Sequence, residues 1–189
     1  MNTKENISAR IKAIQAIYDI KNLKFKYLNA CDSKKPNDIL NCFVSKKVYI
    51  DFEDFGIFSS AQDMVEKYTL YSCHPHLIEQ HSGKNEIIKL LSDDEASGFW
   101  SLSYSLIDTL KNFSLNITGT YEDLYVLDNN KNWLIKKTIF KKRSSLYKSL
   151  SAEHCSNSRI ARSLSAKETV YIFKGFEFKC IAAWIFEKH

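Results

Sequence analysis

Residues that interrupt regular backbone structure are scarce in this sequence. Its 189 residues include only five glycines and two prolines, so polar residues must form most of the turns. Tight glycine-rich loops that cradle phosphate groups are not expected, because such loops need glycine where the backbone approaches the ligand. The chain therefore does not fit the glycine-rich class of nucleotide-binding folds.

The cysteines form no pattern typical of a metal site or a disulfide framework. They are odd in number and widely spaced, without a Cys-x-x-Cys pair: Cys31, Cys42, Cys73, Cys155 and Cys180. Zinc sites and redox centres commonly use closely spaced cysteine pairs. Reduced thiols in a cytoplasmic protein fit this pattern, and we expect neither a metal ion nor another cofactor.

Long apolar runs and concentrated charge are also missing. The longest apolar run near the end, residues 180–186, is far shorter than the roughly 20 residues that cross a bilayer. The first twelve residues lack the apolar core of a secretion signal. The net charge of +5 is dispersed, and residues 141–143 form the one compact basic run. We therefore expect no membrane insertion, no secretion and no nucleic-acid binding.

The first third of the chain is dominated by helical patterns. Apolar residues recur at intervals of three and four over residues 7–31, which predicts a long amphipathic helix. Shorter helices are predicted from Pro36, a residue favoured in a first helical turn, and from Ser60, which resembles a capping residue. Between these two helices, residues 47–52 alternate between apolar and polar side chains and predict a strand.

After the third helix the period of the pattern changes to two. Polar turns separate five predicted strands, which cover residues 76–81, 86–91, 96–107, 115–127 and 133–141. Helices first and antiparallel strands later are typical of an α+β fold. With 44% apolar residues, the chain can bury one sizeable core.

The last forty residues follow a different pattern. A serine-rich stretch leads into two apolar clusters, residues 170–173 and 181–186. We predict a boundary between a main domain, residues 1–148, and a C-terminal extension, residues 149–189. The extension could be a lid over a pocket, a contact between subunits or a disordered appendage.

Five short motifs occur in a fixed order within residues 7–145. They are Tyr27-x4-Asp32, Tyr49-x-Asp51-Phe52, His81-x3-Asn85-x-Ile87, Gly98-x-Trp100 and Tyr121-x-Asp123 followed by Trp133-x-Ile135. In their order and spacing the chain resembles the SnoaL-like domains of the nuclear-transport-factor-2-like superfamily, and most of all the branch of scytalone dehydratase and the bile-acid 7-alpha-dehydratases. The resemblance implies a cone-shaped, curved antiparallel sheet, an α+β barrel, packed with about three N-terminal helices around a pocket. It also implies a homodimer or homotrimer formed through the outer sheet face.

The same resemblance implies a catalytic role for three residues. Asp32 would lie at the pocket end of the first helix and face His81 on a strand, so that its carboxylate fixes the imidazole as a general base. Tyr27 matches a pocket tyrosine of the bile-acid enzymes and would donate to a developing enolate oxygen. From the residues alone, a structural histidine is the better interpretation of His81, and a core or pocket-wall aromatic is the better one of Tyr27. Asp32 is equally a residue that ends a helix.

Ligand contacts are expected from five further residues. Four of them share one face of a predicted strand, and the fifth ends the first predicted strand: Trp100, Leu102, Tyr104, Leu106 and Phe52. Several positions depart from the families that the chain resembles. Tyr104 replaces a catalytic aspartate of the bile-acid enzymes, while Cys31 and Phe52 replace two water-binding tyrosines of scytalone dehydratase. Leu106 stands at the position of that enzyme's second pocket histidine.

Two functions are compatible with these observations. The first is a cofactor-independent dehydratase or isomerase that acts on a small hydrophobic cyclic substrate, polyketide-like or steroid-like, with His81 as the base. The second is a non-catalytic module that binds a small molecule or serves in assembly, which the replaced family residues favour. A distance between Asp32 and His81 too long for a hydrogen bond would support the second function.

Overall fold

Three helices precede most of the sheet, as the sequence predicts. A computed structural model describes residues 3–150 and 170–171. The helices are α1 (Thr3–Asp32), α2 (Pro36–Leu40) and α3 (Ala61–Ser72), and a short 3-10 helix covers Glu53–Phe55. The hydroxyl of Ser60 accepts a hydrogen bond from the backbone N–H of Asp63 at 3.3 Å, which caps α3. No helix in these described ranges combines the length and apolarity that crossing a membrane needs.

The strands form a single curved sheet. They are β1 (Tyr49–Asp51), β2 (Ile57–Phe58), β3 (Leu77–Leu90), β4 (Glu95–Asp108), β5 (Phe113–Leu127), β6 (Trp133–Ser149) and β7 (Val170–Tyr171). Their order is β2-β1-β6-β5-β4-β3, and β7 pairs with β6. The predicted α+β fold is confirmed. The sheet is open and mixed rather than wholly antiparallel, because β1 runs parallel to β6. The long connection between them, through α3 and four strands, permits this direction.

One prediction about the strands is wrong. Residues 76–81 and 86–91 are predicted as separate strands, but a single continuous strand, β3, runs from Leu77 to Leu90. The pairing with β4 shifts register between Lys84 and Ile87, where Asn85 has a φ of 54°. Because this bulge accommodates one extra residue in β3, the pairing with β4 continues up to Lys84 and resumes at Ile87.

The core lies between the helices and the concave face of the sheet. Side chains from every layer are fully buried there, among them Ile20, Ile39, Ile50, Trp100, Tyr125 and Ile135. On β4 burial alternates with a period of two, so the even-numbered residues from Ala96 to Asp108 face inward. This alternation decides which side chains can reach a cavity on the concave side.

The first half of α1 extends beyond this core. Ile7, Ile11, Ile14 and Tyr18 are each 52–66% exposed and recur at intervals of four, three and four. Ala16 is the first residue of α1 that packs against the core within the described part of the chain. The stripe is therefore an apolar surface available for a further contact.

The predicted C-terminal extension lies mostly outside the described residues. β6 ends at Ser149, next to the predicted boundary. β7 places Val170 and Tyr171 beside Lys148 and Tyr147. The proposed lid, subunit contact and disordered appendage concern residues that the structure does not describe, so the boundary and these roles stay predictions.

We expect Gly119→Ala to lower the free energy of unfolding by about 1–3 kcal/mol, because it overpacks a segment of β5 that lies opposite a bulge in β6. A Cβ at this position would lie 2.4–2.5 Å from ring atoms of Phe140 and 2.6 Å from the backbone oxygen of Lys141. Gly83→Ala is the matched control, since its Cβ meets the movable end of Leu28 at 2.8 Å and should cost less. Urea denaturation followed by circular dichroism measures both changes, and equal losses would contradict the prediction.

Candidate active site

The concave face of the sheet and the helices enclose a partly open cavity of about 290 Å³. This volume is near the lower end of the roughly 300–1,000 Å³ typical of small-molecule sites. Most of the wall is apolar. Strands β4, β5 and β6 contribute Leu102, Leu106, Phe113, Leu115, Ile117 and Phe140 to it. A mostly apolar wall with few polar groups suits a hydrophobic ligand.

Asp32 and His81 are in direct contact at one end of the cavity. Asp32 is the last residue of α1, and its Oδ1 lies 2.6 Å from Nδ1 of His81. The backbone N–H of His81 donates to both carboxylate oxygens of Asp32 at 3.0 Å. Because an ionised carboxylate can only accept hydrogen bonds, Nδ1 carries the proton and Nε2 of the neutral ring is left as the proton acceptor.

His81 faces the cavity, and Asp32 stands behind it. His81 belongs to the cavity wall, whereas Asp32 does not. The imidazole also packs on the ring of Tyr104 with a centroid distance of 4.6 Å, since the two residues are directly paired across β3 and β4. The imidazole is therefore held on one side by the carboxylate and on the other by an aromatic ring, as a positioned base requires.

Tyr104 belongs to a second polar network. Its hydroxyl donates to Oε1 of Glu79 at 2.7 Å, and the ammonium of Lys34 lies 3.2 Å from Oε2 of Glu79. Lys34 also donates to the backbone oxygen of Ser72 at 2.7 Å. Glu79 lines the cavity and is absent from the residues that the sequence predicts for the site. Its position two residues before His81 could have revealed it, because the period of a strand puts both on one face.

Tyr27 lies in the same cavity wall as His81. It is buried, and its ring meets Phe43 edge-on at a centroid distance of 5.5 Å. Burial raises the pKa of Tyr27 well above its usual value, with Cys31 contributing, so the phenol stays protonated and can donate. Burial also raises the pKa of the Cys31 thiol, which makes this thiol a poor nucleophile.

The structure brings four of the five residues predicted to contact a ligand into the cavity wall. Phe52, Leu102, Tyr104 and Leu106 line the cavity, but Trp100 lies outside its wall. The ring of Trp100 instead packs edge-on against Phe25 of α1, with centroids 5.7 Å apart. Trp100 does face the concave side, but α1 covers this part of β4. The cavity therefore reaches β4 only from Leu102 onward.

A buried ion pair lies beneath the cavity. Nζ of Lys24 is 2.7 Å from Oδ2 of Asp123, and neither side chain is exposed. Tyr125 donates to the same oxygen at 2.6 Å and accepts from the indole of Trp100 at 3.0 Å. The ammonium also lies 3.7 Å from the ring centroid of Tyr121, a residue of the cavity wall. Burial lowers the pKa of Lys24, and the negative charge of Asp123 opposes this effect.

Sequence comparison identifies the family. The sequence profile of the SnoaL-like domain matches residues 12–139, well over half of the chain. The chain belongs to the SnoaL-like domain family. The matched residues include Asp32, His81 and the cavity-lining part of β4. No curated protein sequence matches the chain.

Solved structures with the same fold support this assignment. A scytalone dehydratase-like protein from Novosphingobium aromaticivorans DSM 12444 is 16% identical, with a TM-score of 0.64 over 84% of this chain and 99% of that chain. A type 2 hexachlorocyclohexane dehydrochlorinase, LinA, is 15% identical, with a TM-score of 0.68 over 80% and 99% of the two chains. A nuclear-transport-factor-2-like protein from Salmonella enterica serovar Typhimurium LT2 is 12% identical, with a TM-score of 0.62 over 72% and 94%. At these identities, the similarity shows that the SnoaL-like domain shares their fold.

We expect Lys24→Met to lower the free energy of unfolding by about 3–5 kcal/mol, because it leaves the Asp123 carboxylate buried without a cation. Lys21→Met is the matched control on the same helix. Lys21 pairs with Glu86 at 2.5 Å, and the two side chains are 35% and 26% exposed, so its loss should cost about 1 kcal/mol or less. Chemical denaturation measures both values. A loss for Lys24→Met no larger than for Lys21→Met would show that the buried pair does not stabilise the fold.

Proposed function

We propose that this SnoaL-like domain is a cofactor-independent lyase, of the dehydratase type, or an isomerase. Its substrate would be a small hydrophobic cyclic molecule, polyketide-like or steroid-like in character. The observation that carries the proposal is the 2.6 Å contact between Asp32 and His81, with the imidazole facing a mostly apolar cavity. Such a pair provides a positioned base where little water competes for the proton.

The reaction would begin with proton transfer to His81. Its Nε2 accepts a proton from a carbon next to a carbonyl group, and the carboxylate of Asp32 stabilises the resulting imidazolium. Tyr27 donates a hydrogen bond to the carbonyl oxygen as this oxygen becomes an enolate. In a dehydratase, the enolate electrons then form the double bond as the hydroxyl group departs with the proton from His81. In an isomerase, His81 returns the proton to another carbon.

Two observations support catalysis over binding alone. A long distance between Asp32 and His81 would have favoured a non-catalytic module, whereas the two are hydrogen-bonded. Two structures with this fold carry the names dehydratase and dehydrochlorinase, and both names denote the loss of a small molecule from a substrate. A cavity of about 290 Å³ favours a compact ring system within the proposed substrate class.

We expect the protein to accelerate deuterium incorporation from D2O into 2-tetralone, a bicyclic ketone with acidic protons beside its carbonyl group. His81→Ala should slow this exchange by about a hundredfold or more, the usual contribution of a general base. Asp32→Asn should slow it less, since it keeps a hydrogen-bonding side chain but removes the charge that stabilises the imidazolium. Proton NMR measures the exchange.

His76→Ala is the matched control for the exchange experiment, because His76 does not belong to the cavity wall. It should leave the exchange rate unchanged. Exchange in the His81→Ala protein at the rate of the unsubstituted protein would contradict the catalytic proposal and favour the binding module.

We also propose that the protein forms the homodimer or homotrimer that the family resemblance implies. The outer sheet face carries the exposed pair Ile78 and Ile107, and the stripe on α1 offers a second apolar surface. We expect light scattering to give two or three times the chain mass of 21.9 kDa. Ile107→Lys should reduce this mass because it places a charge in the sheet contact, while Ile14→Lys tests the stripe on α1. A monomer at working concentration would contradict the proposal.

A cytoplasmic location is part of the proposal and rests on the cysteines. Within the described residues, Cys31, Cys42 and Cys73 are free thiols. Burial raises the pKa of Cys42 to about 11, so this thiol stays protonated and unreactive at neutral pH. Free thiols of this kind are typical of proteins that function in a reducing compartment.

A further inference from the structure

Beside the base lies a polar pair that the proposed mechanism does not use. Glu79 and Tyr104 both line the cavity, and the side chain of Glu79 is only 6% exposed. Both carboxylate oxygens are occupied, Oε1 by the hydroxyl of Tyr104 and Oε2 by Lys34. The carboxylate of Glu79 therefore accepts from a phenol on one oxygen and from a cation on the other.

The hydrogen bond from the Tyr104 hydroxyl to Glu79 determines whether Tyr104 can donate to a ligand or accept from it. Its only hydroxyl proton is donated to Glu79, so the phenol oxygen can offer only lone pairs to other groups. Burial raises the pKa of Tyr104 well above its usual value, and the charge of Glu79 adds to this effect. The phenol therefore does not readily give up its proton, and it acts as a hydrogen-bond acceptor toward the cavity.

This acceptor is close to the proposed base. Tyr104 is the direct cross-strand partner of His81, and the two rings are 4.6 Å apart. A ligand that places a carbon at His81 therefore brings its adjacent groups within reach of the Tyr104 oxygen. A ligand group without a proton to donate would meet unpaired lone pairs there, which is unfavourable in a buried site.

The charges of the cavity wall also select among ligands. Carboxylates predominate in the wall, where Glu53, Asp54, Glu79 and Asp108 accompany the single basic residue Lys142 among the described residues. Lys142 itself pairs with Asp54 at 2.6 Å. An anionic ligand beside Glu79 would experience repulsion that the low local dielectric strengthens.

We propose that Glu79 and Tyr104 form a specificity-determining subsite that selects uncharged substrates with a hydroxyl or N–H donor next to the reacting carbon. The identity of the reacting carbon rests on the proposed function of His81. The selection itself is a property of binding and does not require catalysis. Glu79 has two effects in this subsite, since it fixes the direction of the Tyr104 hydroxyl and it excludes anions.

Three naphthalenes that differ in one substituent test the subsite in the full-length protein. At neutral pH 2-naphthol is an uncharged donor, 2-methoxynaphthalene is uncharged without a donor, and 2-naphthoate is an anion. Isothermal titration calorimetry should show 2-naphthol binding about five- to tenfold more tightly than 2-methoxynaphthalene, the range expected for one additional hydrogen bond. It should show 2-naphthoate binding most weakly.

The variants separate this subsite from a merely structural role. Tyr104→Phe should abolish the preference for 2-naphthol while the affinity for 2-methoxynaphthalene stays within about twofold, because only a hydrogen-bond acceptor is removed. Glu79→Gln keeps an acceptor for the Tyr104 hydroxyl but removes the charge, so it should strengthen 2-naphthoate binding at least about tenfold. Tyr68→Phe is the matched control, a second cavity tyrosine whose hydroxyl donates to the backbone oxygen of Cys31, and it should retain the preference.

Two results would overturn the proposal. One is a preference for 2-naphthol that persists in the Tyr104→Phe protein, since the acceptor would then be another group such as His81. The other is a Glu79→Gln protein that binds 2-naphthoate no better than the unsubstituted protein does. Both are measured without turnover, so they stand apart from the deuterium exchange that tests His81 as a base.

Discussion

The carboxylate of Asp32 joins the end of α1 to the middle of β3. It accepts both the backbone N–H and the ring Nδ1–H of His81, and therefore fixes the position of the strand as well as the orientation of the imidazole. Among the strands of the described residues, β3 is the last on its side of the sheet, so this backbone N–H has no partner among those strands. The carboxylate at the end of α1 thus supplies a hydrogen-bond acceptor to the edge strand. The same carboxylate orients the imidazole of the candidate active site.

Once β3 is held at His81, the rest of the polar wall follows from sheet geometry. Glu79 lies two residues earlier on the same face, and Tyr104 lies directly opposite His81 on β4. Beneath them the fully buried pair of Lys24 and Asp123 supports the wall through the ring of Tyr121. The domain thus has one polar network that lines the cavity and a second, the ion pair of Lys24 and Asp123, whose side chains are fully buried.

This arrangement gives a physical account of the positions at which the chain departs from the families that it resembles, among them Tyr104, Phe52 and Leu106. The resemblance implies an aspartate where this chain has Tyr104, yet the adjacent strand supplies a carboxylate through Glu79, 2.7 Å from the Tyr104 hydroxyl. The carboxylate of Glu79 thereby keeps a negative charge near His81, although the Tyr104 phenol occupies the position where the related enzymes have the aspartate. Leu106 and Phe52 make the surrounding wall more apolar, which favours a compact hydrophobic ligand over a charged one.

The sequence by itself determined the helices, most strands and the α+β class, because helical and strand periods are local patterns of apolar and polar side chains. The contact between Asp32 and His81 could be inferred only through family resemblance, since these residues are 49 positions apart. Tertiary structure alone decided the continuity of β3, the parallel direction of β1, the covering of Trp100 by α1 and the partners of the Glu79 carboxylate. Each of these depends on which distant segment supplies a hydrogen-bond partner or covers a face, and no local pattern of residues records that choice.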